Sequence, residues 1–387
     1  MVPFFDLTRQ YKSIQGEVDL AIKSSLKRGV FILGPQVKAY EEDFADYLGI
    51  WHAVGVASGT DALSMSIWAL DIKPGDEVML PANAYPTAFG IATTGVRIRL
   101  VDCGSDGNVD LKKLEKLIST KTKAVIPVHL YGKPADVIGI KIMLNRKSPK
   151  TMIIEDAAQA HGAEVKDGSK WRKAGTIGRI GIFSFYPTKN VGAYGDGGVL
   201  VTDRASIAKK LRAMRMYGES SRYRSDFIAG VSRLDEIQAA ILQVKLKFLD
   251  KWNKRRAEIA EMYSERLEGV GDLKIISNFQ FSITNKNTKS KLYNNEQFKS
   301  CNHLFVIRTS KRDELKVYLE KKGVMTAIHY PVPVHMTPAF KHLGYKKGDF
   351  PEVEAQAGEV LSLPMFPELT DKEVEEVVKR IRGFYGK

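Results

Sequence analysis

Apolar residues recur at helical spacing over residues 15–27 and again over 35–48, which predicts two amphipathic helices early in the chain. The pattern then alternates. It reads as helix 61–70, strand 77–80, helix 86–94, strand 97–101 and helix 111–117, then strand 124–128, a helical region near 137–145 and strand 152–154. Strands separated by helices are βαβ units, so the fold class is α/β with a mainly parallel, mixed sheet. Such a sheet presents ligands at the carboxyl ends of its strands. Two more strand-like runs follow at 180–185 and 198–202, then a long helix from 234 to about 267.

Beyond that helix the pattern changes. Residues 282–303 are polar, with repeated Asn, Lys and Ser, and read as a surface insertion centred on 282–302. Strand 304–308, helix 312–321, strand 325–329 and helix 372–381 then predict a smaller α/β unit. A chain of 387 residues is too long for one small core. We expect a large domain over 1–250 and a smaller one over 251–387.

Composition narrows the class of protein. An apolar fraction of 44% with 27% charged residues is that of a soluble globular chain. No run approaches the roughly 20 uninterrupted apolar residues of a membrane-spanning helix. The opening Met1-Val2-Pro3-Phe4-Phe5-Asp6 lacks the basic-then-apolar order of a signal peptide. Cys103 and Cys301 have no metal-ligand spacing and are too few for a disulfide framework. The expectation is a cytoplasmic protein with no membrane partner and no metal site. Lysine and arginine number 59 against 45 acidic residues, a net charge of +14, which raises nucleic-acid binding as a rival. The cations are spread along stretches such as 245–256 and 311–322, however, and read as solvated helix faces. An anionic small molecule suits such a surface better, and no nucleic-acid partner is expected.

Five features carry chemistry. Lys189 follows the apolar run Ile180-Gly181-Ile182-Phe183 and precedes the glycine-rich Gly192-Ala193-Tyr194-Gly195-Asp196-Gly197-Gly198. A loop lysine is ordinarily a solvated cation. At the exit of a buried strand it can be partly desolvated, which lowers its pKa and exposes the lone pair that Schiff-base chemistry needs. Ser58-Gly59-Thr60 precedes a helix, so it is either a plain N-cap or an anion site at a helix N-terminus. Asp156, at the carboxyl end of Ile153-Ile154-Glu155, is either a helix cap or an active-site acid. Ser184 adds a hydroxyl, and Tyr85, after Leu80-Pro81-Ala82-Asn83-Ala84, adds a flat ring. An anion site, an acid, an amine and an aromatic face are the parts needed to hold pyridoxal phosphate.

With these residues in place, the chain resembles, nearly end to end, the DegT/DnrJ/EryC1/StrS family of pyridoxal-phosphate-dependent nucleotide-sugar aminotransferases. The motifs that carry the resemblance begin with Phe31-Ile32-Leu33-Gly34-Pro35, Ser58-Gly59-Thr60-Asp61-Ala62-Leu63, Gly75-Asp76-Glu77-Val78 and His129-Leu130-Tyr131-Gly132. Glu155-Asp156-Ala157-Ala158-Gln159-Ala160-His161-Gly162, the segment 183–190 and Gly195-Asp196-Gly197-Gly198 follow. His329-Tyr330-Pro331-Val332-Pro333 and Leu361-Ser362-Leu363-Pro364-Met365-Phe366-Pro367 match in the last third. The stretch 282–301 is poorly covered.

The resemblance implies a fold-type I aminotransferase with pyridoxal 5'-phosphate as cofactor and a homodimer with active sites at the subunit interface. It implies that Lys189 bonds the cofactor and shuttles the proton, and that Asp156 pairs with the ring nitrogen. Gln159 would lie near the phenolic oxygen. Gly59, Thr60 and Ser184 would hold the phosphate, and Tyr85 would stack on the ring. Tyr186, His329 and Tyr330 would face the sugar, and Arg222 the diphosphate of the neighbouring subunit's substrate. The run from His329 to His335 looks most like the branch acting on dTDP-3-keto-6-deoxyhexoses, with L-glutamate as amino donor. A dTDP-4-keto substrate and a non-catalytic regulatory member of the fold are the alternatives. A sugar 3-dehydratase of this family carries histidine where Lys189 stands, which argues against that activity.

One departure bears on the cofactor. The family usually reads Gly-x-Asn-Ser-Arg-Leu-Asp-Glu before its long helix, with the asparagine reaching the neighbouring subunit's cofactor phosphate. Here the segment is Ala229-Gly230-Val231-Ser232-Arg233-Leu234-Asp235-Glu236, so either Val231 replaces the asparagine or the residue is deleted. One hydrogen bond to a charged group, worth about 1.5–3 kcal/mol, is then missing unless Ser232 or a water replaces it.

Overall fold

A computed structural model describes residues 1–276 and 297–386. Two helices come first. Helix α1 (Leu7–Arg28) starts eight residues before the amphipathic pattern announces it, because Asp6 caps it by accepting from the Thr8 and Arg9 N–H groups. The backbone departs from helical geometry at Ile14, which breaks the period there. Helix α2 (Pro35–Leu48) keeps the expected bounds, set by Pro35 at its start and by Gly49 beyond its end at φ 68°.

The large sheet contains seven strands: β1 (His52–Val56), β2 (Glu77–Pro81), β3 (Arg97–Val101), β4 (Thr122–Val125), β5 (Met152–Asp156), β8 (Ile180–Ser184) and β9 (Gly198–Thr202), in the order β1-β9-β8-β5-β4-β2-β3. Only β9 runs opposite to the other six strands, so the sheet is mixed and mainly parallel, the expected architecture. Helices α3 (Gly59–Ala69), α4 (Tyr85–Ala92), α5 (Leu111–Leu117), α6 (Val137–Lys147) and α7 (Ala205–Met214) link or flank these strands. The hairpin β6 (Glu164–Asp167) and β7 (Lys170–Lys173) leaves the end of β5. Alternation along β8 and β9 sorts the two faces. Ile180, Ile182 and Leu200 enter one core with Val54, Leu63 and Ile154, while Phe183, Val199 and Val201 enter another with Tyr40, Phe44 and Leu242.

Several expectations are corrected. The long helix is two: α8 (Glu236–Leu246) and α9 (Leu249–Leu267), broken at Lys247 and Phe248, with Phe248 stacked on Trp252. Residues 325–329 form no strand. The Met325 N–H bonds to Val2 and the Ala327 N–H to Ser362, so two different partners replace one ladder. Strand β4 ends at Val125, and its continuation meets β5 only through a bridge between Val128 and Asp156. Strand β1, the β6–β7 hairpin and α7 lie in segments where no element was expected. So does the short exposed hairpin β10 (Glu219–Ser221) and β11 (Arg224–Ser225).

The last third builds a separate core. Strands β12 (Lys274–Ile275), β14 (Phe305–Arg308) and β15 (Val360–Leu363) form a small antiparallel sheet against α9, α10 (Arg312–Lys321) and α12 (Asp371–Phe384). Helix α11 (Pro351–Glu359) leads directly into β15. Of the polar insertion, residues 282–296 lie outside the described residues. Its described end is not a surface loop: β13 (Phe298–Lys299) pairs with β6, and Cys301, Asn302 and His303 are buried. No helix among the described residues is long and apolar enough to cross a membrane.

Candidate active site

Strands β5 and β8 run parallel and in register, with Asp156 opposite Ile182, so their carboxyl ends open on the same edge. Asp156 is buried there. One of its carboxylate oxygens accepts from the Thr87 hydroxyl at 2.7 Å and the other from the Ala158 N–H at 3.1 Å. Ser184 ends β8 and is half-buried, and Lys189 follows five residues later in a turn closed by its own N–H on Tyr186 O at 2.8 Å. The turn folds tightly: a Cβ at Gly192 would lie 2.2 Å from Pro187 O, so only glycine fits.

The first turn of α3 completes this edge. Ser58 is the N-cap, accepting from Asp61 N–H at 3.0 Å, so the cap reading holds. The N–H groups of Gly59 and Thr60 have no carbonyl four residues back in the helix, so the same turn also presents free donors at the positive end of the dipole. A Cβ on Gly59 would meet Ser184 Cβ at 2.8 Å, which explains the close approach of helix and strand end.

These groups line one cavity of about 370 Å³: Gly59, Thr60, Asp156, Gln159, Ser184 and Lys189, together with Tyr186, His329 and Tyr330. The amine of Lys189 makes no hydrogen bond or ion pair with any described residue. Burial lowers its pKa to about 8, and the Asp156 carboxylate opposes that shift. Burial and then the Lys189 charge hold the His329 imidazole near 4, well below its ordinary value. Burial, with Asp156 second, pushes the Tyr330 phenol up to about 12. Gln159 accepts from the Tyr131 N–H at 2.6 Å and donates to the Tyr330 hydroxyl at 3.2 Å, so it links the segment after β4 to Tyr330.

Two expected residues stand apart. Tyr85 is not among the lining residues: its ring lies 6.1 Å from that of Tyr330, stacked at 25°. Arg222 lies on the exposed β10–β11 hairpin, its guanidinium over the Tyr223 ring. Val231 is exposed, and the Ser232 hydroxyl is engaged within its own chain, accepting from Ala57 N–H and donating to Asp61. The structure also brings in residues that the sequence did not single out. Thr87 holds Asp156, and His303 and Thr188 line the cavity. A threonine two residues past Tyr85 and a histidine at the end of a polar stretch carry no local signal.

The donor set fits pyridoxal phosphate: two free helix N–H groups and a hydroxyl suit its phosphate, a carboxylate suits a protonated ring nitrogen, and an unpaired amine suits its aldehyde. The comparisons agree. The DegT/DnrJ/EryC1/StrS aminotransferase family matches residues 12–382. A pleiotropic regulatory protein of Geobacillus stearothermophilus is 39% identical, covering 99% of this chain and 98% of its own length. The dTDP-3-amino-3,4,6-trideoxy-alpha-D-glucose transaminase of Streptomyces venezuelae is 38% identical, covering 98% and 95%. A UDP-N-acetyl-3-dehydro-alpha-D-glucosamine 3-aminotransferase of Acidithiobacillus ferrooxidans is 37% identical over 98% and 97%. The crystal structure of S. venezuelae DesV in complex with a ketimine intermediate superposes with a TM-score of 0.91 at 38% identity, over 100% of this chain and 99% of that one. This chain is therefore a member of the DegT/DnrJ/EryC1/StrS aminotransferase family.

Proposed function

We propose that this protein transfers an amino group, from L-glutamate as donor, to the keto carbon of a nucleotide-linked 6-deoxyhexose, with a dTDP-3-keto sugar as the favoured substrate. The observation that carries the reading is the meeting of an unpaired, pKa-lowered Lys189 with Asp156 and the open first turn of α3 in one cavity. The two transaminases among the relatives above are named for nitrogen at carbon 3 of dTDP- and UDP-linked sugars, which supports the position and leaves the nucleotide to experiment. The relative named as a regulator favours no second reading here, because Lys189, Asp156, Gln159 and Ser184 stand together.

Pyridoxal phosphate, when bound, supplies an aldehyde and an electron-accepting ring. The chain supplies the rest. The Gly59 and Thr60 N–H groups with the Ser184 hydroxyl take the phosphate, and Asp156, oriented by Thr87 and Ala158, keeps a ring nitrogen protonated. Lys189 Nζ accepts the proton from the donor's α-carbon and delivers one to the sugar carbon that gains nitrogen. A pKa near 8 suits both directions at neutral pH. Tyr186, His329 and Tyr330, which line the same cavity, orient the sugar.

We further take the chain to divide near residue 250, to act as a homodimer and to work in the cytoplasm. Phe227, Ile228 and Val231 are exposed along a cavity of about 950 Å³ beside α3, an apolar surface that a second copy would cover. Arg222, on the adjoining hairpin, would then meet the partner's substrate. Both cysteines are buried and unpaired, in keeping with a reducing compartment. The deciding experiment incubates the protein with cofactor, glutamate and, side by side, dTDP-3-keto, dTDP-4-keto and UDP-3-keto sugars. Amino sugar and 2-oxoglutarate should form together, fastest with the dTDP-3-keto compound. Absence of any glutamate-dependent absorbance change at saturating cofactor would overturn the aminotransferase reading.

A further inference from the structure

His303 lies at the end of a hydrogen-bonded chain whose polarity is fixed at every link. A backbone carbonyl can only accept, so His161 O fixes Asn253 with Nδ2 as its donor, at 2.8 Å. Asn253 Oδ1 is left to accept from Asn190 Nδ2 at 2.8 Å, and the same Nδ2 donates to Cys301 O at 3.0 Å. Asn190 therefore turns Oδ1 toward His303 Nδ1, 3.0 Å away, and Nδ1 must carry the hydrogen. Burial, then the charges of Lys189 and Arg256, holds the ring well below the ordinary histidine pKa and hence neutral. A neutral ring with hydrogen on Nδ1 has a bare Nε2. That atom makes no hydrogen bond with any described residue, and the ring lines the cavity that holds the unpartnered Lys189 amine.

We propose that His303 is a positioning residue for Lys189: the two groups line one cavity without a bond between them in this structure, and a turn of the lysine side chain lets Nε2 accept a hydrogen bond from the amine once it is free of the cofactor. This rests on the reading of Lys189 as the cofactor lysine. The contact keeps a freed amine inside the cavity and turned toward the reacting carbon. The network has a reason to be this long: each amide is pinned by a main-chain oxygen, so the ring cannot change tautomer without breaking two or more bonds. Other groups bear on Lys189 from different elements. Asp156 on β5 and Cys301 favour its charged form, while His161, His329, Arg256 and the phenols of Tyr186 and Tyr330 are further titratable neighbours of the cluster.

The test measures Lys189 in the full-length, cofactor-free chain. Acetic anhydride labelling as a function of pH, with the Lys189 peptide quantified against surface lysines, gives the amine's titration midpoint. His303→Phe removes the acceptor and should lower that midpoint by roughly one pH unit. His303→Gln can donate to Asn190 through its amide nitrogen and accept through its oxygen, and should restore the midpoint. An unchanged midpoint in His303→Phe, or an equal fall in both variants, overturns the proposal. The unaltered chain gives a check that needs no variant: ¹⁵N-histidine spectra should show the His303 ring with hydrogen on Nδ1. Hydrogen on Nε2 overturns it. Should the cofactor-loaded protein show no response to glutamate, the proposed function fails, while the midpoints still decide the role of His303.

Discussion

Lys189 by itself reads as an ordinary loop cation, and what singles it out is its company: the anion, acid and aromatic motifs elsewhere in the chain. Asp156, at the end of β5, reads equally as a helix cap or an acid, and the same company marks it. Thr87 is not marked, since its contact with Asp156 joins residues 69 positions apart and leaves no local trace. Lys189→Ala should lower kcat by at least about 10²-fold, the usual worth of a positioned acid–base group, with the folded state intact by circular dichroism. Thr87→Val removes one donor from a buried carboxylate while keeping the side-chain shape. It should lower kcat about tenfold, in line with a lost hydrogen bond to a charged group, and leave KM for the sugar nearly unchanged. Steady-state kinetics on both substrates separate the two parameters.

At the scale of elements, legibility followed the strength of local punctuation. Helix α2 was placed to the residue because Pro35 and Gly49 bracket it, whereas α8 and α9 merged because a bend at Lys247 and Phe248 has neither glycine nor proline to mark it. The start of α2 has no cap from its own neighbours. Glu236 on α8, 200 residues away and fully buried, accepts from the Gln36 and Val37 N–H groups at 2.9 and 2.8 Å. Glu236→Ala should therefore destabilise the protein by about 1–3 kcal/mol, measured as a lower urea midpoint, since two helix N–H groups lose their acceptor. A substitution at the exposed Glu17 on α1, which caps nothing, provides the control and should change little.

Across the whole molecule, a buried carboxylate joins the sheet to the segment beyond the β6–β7 hairpin. Glu155 accepts from the Gly175, Ile177 and Gly178 N–H groups and from His129 Nε2. Burial pushes its pKa up, but the His129 bond and charge and the backbone donors outweigh burial, and the folded value lies below the ordinary 4.5. A carboxyl whose folded pKa is depressed contributes stability that is present above its unfolded pKa and lost as pH falls through the folded one. Urea midpoints of the unaltered protein should fall as pH drops below about 4.5, and Glu155→Gln should be less stable at pH 7 with a shallower loss in acid. A second expectation concerns assembly. Ile228→Asp should shift the sedimentation profile from dimer toward monomer, and an unaltered monomer in the parent protein would remove the homodimer proposal. The sequence by itself determined the α/β class and the order of most large elements, because periodicity, glycine and proline act over a few residues, and its ordered motifs offered the lysine, acid and helix start of the candidate site. Tertiary structure alone decided which strand reverses, which distant carboxylate caps α2, and which neighbours surround Lys189. Those choices are contacts between residues far apart in the chain, settled by burial and by the need of each buried polar group for a partner.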